Sequence, residues 1–100
     1  MTKKLSPIHP GEILREEFLV PMSLSPYAVA RAVGVPRTRI ERLAHEQTAV
    51  TADTALRLAR YFGTTPAFWM NLQTRYELEV EKDLLGPRLD REVQPARAAG

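Results

Sequence analysis

Apolar residues recur along this chain at helical spacing, in short stretches set apart by proline, glycine and hydroxyl side chains. No stretch alternates with period two, so no strand is expected. Pro10, Pro26, Pro36 and Pro66 each open a helix-compatible stretch, as proline does in a first turn. Ser25 before Pro26, Thr65 before Pro66, and Thr51 before Ala52 are natural N-caps, since a hydroxyl there accepts from a free first-turn amide. A first helix is predicted from about Pro10 to Leu19, with Leu14 and Phe18 on one face and Pro21 ending it. A second runs from about Pro26 to Val33, with Val29, Ala30 and Val33 inward and Gly34 stopping it. The third runs from Pro36 to about Ala44, with Ile40 and Leu43 inward. The fourth, Ala52 to Phe62, carries a stripe of Ala52, Ala55, Leu56, Ala59 and Phe62, and Gly63 closes it. The fifth, Pro66 to about Glu81, carries Phe68, Trp69, Leu72, Tyr76 and Val80. Five helices with connections of a few residues define an all-α fold, a compact orthogonal five-helix bundle.

The densest pattern lies between Leu24 and Leu43. A helix-turn-helix needs a small residue in its first helix, a glycine at the turn, and apolar residues that lock the two helices at a steep angle. Ala30, Gly34, and the set Val29, Val35, Ile40 and Leu43 meet those demands within twenty residues. With Ile40 and Leu43 inward, the outer face of the third helix shows Arg37, Thr38, Glu41 and Arg42, preceded by Pro36. Arginine can bind guanine O6 and N7 bidentately, and threonine offers a hydroxyl and a methyl, so Arg37, Thr38 and Arg42 are candidate base readers. Arg39 points nearer the flank, where it meets either a phosphate or one of Glu12, Glu16 and Glu17.

Charge sharpens this picture. The formal net charge is only +2, but Arg31, Arg37, Arg39, Arg42, Arg57 and Arg60 outnumber Glu41, Glu46 and Asp53 between residues 31 and 60. From Glu77 to Asp83 the sign reverses, with Glu77, Glu79, Glu81 and Asp83 against Lys82. One face is thus expected to be basic and another acidic. Trp69 and Phe68 are either core or an aromatic contact for a partner, with Tyr76, Glu77 and Glu81 extending the same helix toward a dimer or partner surface. The chain divides into a flexible segment 1–9, a helix-turn-helix domain 10–82 ending in a packing or dimerisation helix, and a disordered tail 83–100. From Gly86 on, Pro87, Pro95 and alternating charges leave no core-facing pattern.

Other chemistries find no footing. There is no cysteine, hence no disulfide framework or thiolate site. The two histidines, His9 and His45, are far apart in sequence, so no metal site is expected. No metalloprotease motif, phosphate-binding glycine loop or nucleophile elbow occurs, and neither catalysis nor a cofactor is expected. Glu16 and Glu17 are helix neighbours pointing about 100° apart, not a shared carboxylate site. No apolar run approaches the roughly 18 residues that span a bilayer, and the first ten residues lack a signal-peptide core.

The run from His9 to Phe18, HPGEILREEF, resembles the opening of HigA-type (VapI-like) antitoxins, a branch of the Xre/Cro-like, lambda-repressor-like regulators. Gly34–Ile40, Thr51–Ala59 and Phe62–Gln73, followed by Tyr76-Glu77-Leu78, continue the resemblance in the same order. The resemblance implies a cytoplasmic bacterial type II antitoxin: a homodimeric repressor of its own operon on an inverted-repeat operator. It also implies a RelE/HigB-like mRNA-cleaving toxin as partner. Such toxins are basic, which makes Glu77–Asp83 either a docking surface or a plain solvated face. Two alternatives stand beside it: a toxin-binding module with weak DNA binding, and a solitary regulator without a toxin. Two positions depart from the pattern. His45-Glu46-Gln47-Thr48 replaces an Asn-Gly-Lys-like turn, and Pro26 replaces a glutamine that contacts phosphate. Both changes remove phosphate anchoring.

Overall fold

The computed structural model describes residues 6–97, all of whose regular elements are helices. Helix α1 spans Pro10–Ile13 and runs on as a wide-turned π segment, Leu14–Leu19. Its amides reach back five residues, as in Val20 N–H to Arg15 C=O at 2.9 Å. One extra residue per turn brings Leu19 round toward the side of Leu14, and both are buried with Phe18 packed beside them. The start of α1 is held by His9, whose Nδ1 accepts from Gly11 N–H at 2.9 Å. His9 is itself buried, which corrects its assignment to a flexible segment: capping and burial make it part of the domain. Of that segment, residues 1–5 lie outside the described residues.

Helices α2 (Pro26–Val33), α3 (Arg37–Ala44) and α4 (Ala52–Phe62) begin and end at their punctuation. Ser25 Oγ accepts from Ala28 N–H at 3.1 Å, and Thr51 Oγ1 from Thr54 N–H at 3.3 Å. Gly34 and Gly63 terminate α2 and α4 in the left-handed conformation, φ 76° and 73°. Helices α2 and α3 pack closely on each other, and α1 lies across α3 and α5. The approach of α1 to α3 is tight. A Cβ on Gly11 would stand 1.8 Å from the Leu43 carbonyl oxygen. The core is Leu14, Leu19, Val29, Ala30, Ile40, Leu43, Ala44, Val50, Ala55, Leu58, Ala59 and Trp69.

The phase of α4 differs from expectation. Its buried residues are Thr54, Ala55, Leu58 and Ala59, while Ala52 is exposed and Leu56 is 60% exposed. A stripe through 55, 58, 59 and 62 satisfies helical spacing as well as one containing Leu56. In the fold it is Leu58 that is buried.

Helix α5 spans Pro66–Glu92, beyond the expected end at Glu81 and into the stretch expected to lack structure. Gly86 (φ 45°, ψ −137°) breaks the helical backbone, so Pro87 begins a new turn instead of interrupting an old one. Ion pairs at i,i+4, Arg75–Glu79 and Arg88–Glu92, both 3.1 Å, support this helix from its own surface. Its last buried residue is Gln73. An apolar pattern search misses a helix held by local pairing. Residues 98–100 of the tail lie outside the described residues.

Candidate nucleic-acid interface

Helix α3 is clamped from behind by Ile40, Leu43 and Ala44, all buried. Its outward face follows from that clamp. Arg37, Thr38 and Arg42 are exposed, Glu41 is half-buried, and Pro36 stands exposed at the entry. Thr38 and Arg42 are i,i+4 neighbours on one face, while Arg37 Nε pairs with Glu41 Oε1 at 3.2 Å. The Arg37 guanidinium also lies over the Tyr27 ring of α2, 5.8 Å from its centroid. Arg42 has no acidic partner among the described residues, so its charge faces solvent. The structure therefore brings Pro36, Arg37, Thr38 and Arg42 together on one exposed surface.

Arg39 meets a carboxylate other than the three expected from the sequence. It pairs with Asp53 in the first turn of α4, not with Glu12, Glu16 or Glu17. Asp53 also accepts from Arg57 Nε at 3.0 Å, and Arg57 Nη1 donates to the Val33 carbonyl at 2.7 Å. This chain of contacts ties α3 to α4 and α4 to the C-terminus of α2, and so braces the helix-turn-helix. Arg39, then Arg57, hold the Asp53 carboxyl below the usual carboxylate range. Asp53 and Arg57 stand at i,i+4 in the sequence; the long-range pairing with Arg39 has no sequence signal.

The α3–α4 turn reaches its shape without glycine. Glu46 adopts φ 62°, and Gln47 N–H donates to the Arg42 carbonyl at 2.8 Å. Arg15 of the π segment donates to the Ala44 carbonyl and pairs with Glu46 at 3.1 Å. The added carboxylate of this turn thus carries its own counter-ion. His45 and Gln47 are exposed beside it. The turn is anchored inward by Val50 N–H, which donates to Gln73 Oε1 at 2.8 Å.

Of the two readings of Trp69, core or partner contact, the structure places it in the core. It is fully buried among Phe18, Phe62 and Phe68, and its Nε1 donates to Thr64 Oγ1 at 2.8 Å. Phe68 is half-buried against the same cluster, and Tyr76 packs edge-on to His9 at 4.7 Å. Glu77 and Glu81 are exposed. They lie on α5, whereas the arginine face lies on α3.

Two helices locked around Ala30 and Gly34, the second presenting a basic face, define a helix-turn-helix domain. The sequence model of the helix-turn-helix family matches residues 14–69. Virulence-associated protein I of Dichelobacter nodosus is 56% identical over 73 residues, covering 73% of this chain and 68% of that protein. The Pseudomonas aeruginosa antitoxin HigA, solved with the higBA promoter, is 45% identical with a TM-score of 0.87, covering 91% of this chain and 99% of that one. Antitoxin GraA in complex with its operator is 43% identical with a TM-score of 0.88, covering 98% and 99%. The chain belongs to the helix-turn-helix family, in its HigA-type antitoxin branch.

Proposed function

We propose that this chain is a sequence-specific DNA-binding repressor and antitoxin. It acts in the bacterial cytoplasm as a homodimer, with α3 of each protomer in a major groove. The observation that carries the reading is the outer face of α3. Arg37, Thr38 and Arg42 are exposed together, Arg42 without a protein counter-ion among the described residues, on a helix whose orientation is braced by Arg39–Asp53–Arg57. Two similar structures hold promoter or operator DNA, which supports the same reading. Among the described residues, no helix is long and apolar enough to cross a membrane.

Fluorescence anisotropy on the gene's own promoter and on scrambled DNA, at two salt concentrations, tests it. Preference for the promoter by about 10³-fold or more, with a steep salt slope, is the expected result. Arg37→Ala and Arg42→Ala should each cost about 1–3 kcal/mol on the operator and relax preference at one base pair. Equal weak binding to both DNAs would overturn the repressor.

The second reading, a toxin-binding module with weak DNA binding, draws on Pro26 and on the turn with no lysine. The pairing of Glu46 with Arg15 argues against it, because that carboxylate does not stand as a bare negative charge. In the antitoxin role we assign the exposed Glu77 and Glu81 to docking of a basic, RelE/HigB-like toxin. Glu77→Lys with Glu81→Lys should then relieve toxin inhibition in a translation assay and leave promoter binding intact.

A further inference from the structure

Arg37 has two neighbours beside its guanidinium, the Glu41 carboxylate at Nε and the Tyr27 ring. Glu41 engages Nε, and among the described residues no third residue forms an ion pair with the outer nitrogens, Nη1 and Nη2. Those two nitrogens form the edge of the guanidinium that can pair with guanine O6 and N7. The Arg37 guanidinium also lies over the ring of Tyr27, in the first turn of α2. Tyr27 is about half exposed and outside the core, so packing does not account for an aromatic ring there.

We propose that Tyr27 is a specificity-determining positioning residue, which fixes the Arg37 guanidinium for base reading. A free arginine side chain samples many rotamers, and part of that freedom is lost when it docks on a base. An arginine already in contact with a ring face and a carboxylate loses less. The cation–π contact comes from a helix other than the one that enters the groove. Arg37 is thereby referenced to α2 as well as to α3. This inference rests on the DNA-binding reading, with Tyr27 acting through Arg37 and not through its own hydroxyl.

The test compares Tyr27→Leu, Tyr27→Phe, Arg37→Ala and the double variant Tyr27→Leu/Arg37→Ala. Each is titrated by anisotropy on the promoter and on promoters carrying single base-pair changes. The Arg37 Nε–H resonance of the free protein is followed in parallel. Tyr27→Leu should bind the promoter about two- to fivefold more weakly, the range of an exposed cation–π contact. It should also lose discrimination at the base pair that Arg37→Ala relaxes. Tyr27→Phe should keep both, and Tyr27→Leu should add nothing once Arg37 is alanine. Equal weakening on every DNA, or a loss for Tyr27→Phe as large as for Tyr27→Leu, would assign Tyr27 to phosphate contact and overturn the proposal. A wild-type protein that does not distinguish promoter from scrambled DNA would remove the DNA-binding reading, and the specificity role with it. The Arg37 resonance separates that failure from the absence of the contact: loss of a ring-current shift in Tyr27→Leu reports the stacking, and an unchanged shift rules it out.

Discussion

At Gly11 the requirement is for space, not for unusual backbone angles. The α1 backbone passes so near the end of α3 that a methyl group would meet the Leu43 carbonyl at 1.8 Å. Gly11→Ala, which in an ordinary helix would stabilise, should here destabilise by about 1–3 kcal/mol in urea titration, because the obstacle is backbone that cannot turn aside. A neutral or stabilising result would show that α1 does not cross α3 so closely. His9 next to it makes folding sensitive to pH. Burial pushes the imidazole below the ordinary histidine value of 6.5, against the opposing pull of Glu46 and a hydrogen bond to the Thr48 backbone. The unfolded chain then takes up the proton more readily than the folded one. His9 therefore contributes its full stability above about pH 6.5, and that contribution is lost as pH falls toward the folded-state value. The thermal midpoint should drop between about pH 7.5 and 5.5, and His9→Asn should flatten that part of the profile. A slope that survives the substitution would place the titration elsewhere.

Among the elements, α4 shows how far local pattern reaches. Its ends follow from Thr51 and Gly63, both readable in the sequence, yet its rotation about its axis is set by the helices it packs on, α5 and α2. Leu56 and Leu58 are equally apolar, but only Leu58 is fully buried. Leu58→Ala should cost about 2–5 kcal/mol in denaturant titration. Leu56→Ala should stay within about 0.5 kcal/mol. The reverse order would mean that α4 packs in the rotation expected from its sequence. Helix α5 makes the complementary point. Past Gln73 it buries no residue, so no apolar stripe announces it, and i,i+4 pairs and a glycine–proline break shape its far end.

Over the whole molecule, basic and acidic surfaces are divided between α3 and the exposed flank of α5. A two-fold dimer carrying two α3 helices reads half-sites about one helical turn apart. Inserting about five base pairs between the half-sites turns one of them to the opposite side of the duplex and should abolish high-affinity promoter binding. Binding that tolerates the insertion would mean that each protomer acts alone.

The sequence by itself determined where α2, α3 and α4 begin and end and where α5 begins, because caps, prolines and glycines act through bonds to their own neighbours. It also determined which residues face outward on α3, since Ile40 and Leu43 leave one rotation for that helix. Tertiary structure decided the rest, through contacts between residues far apart in the chain. Arg39 became a brace on Asp53. Trp69 was drawn into the core by Phe18 and Phe62. His9 moved from a loose end to a buried cap, and Tyr27 came to lie under Arg37. Capping and helical period are short-range and leave their mark on adjacent residues. Ion pairing, ring contact and the rotation of a helix depend on what the fold places opposite, and no local spacing encodes that.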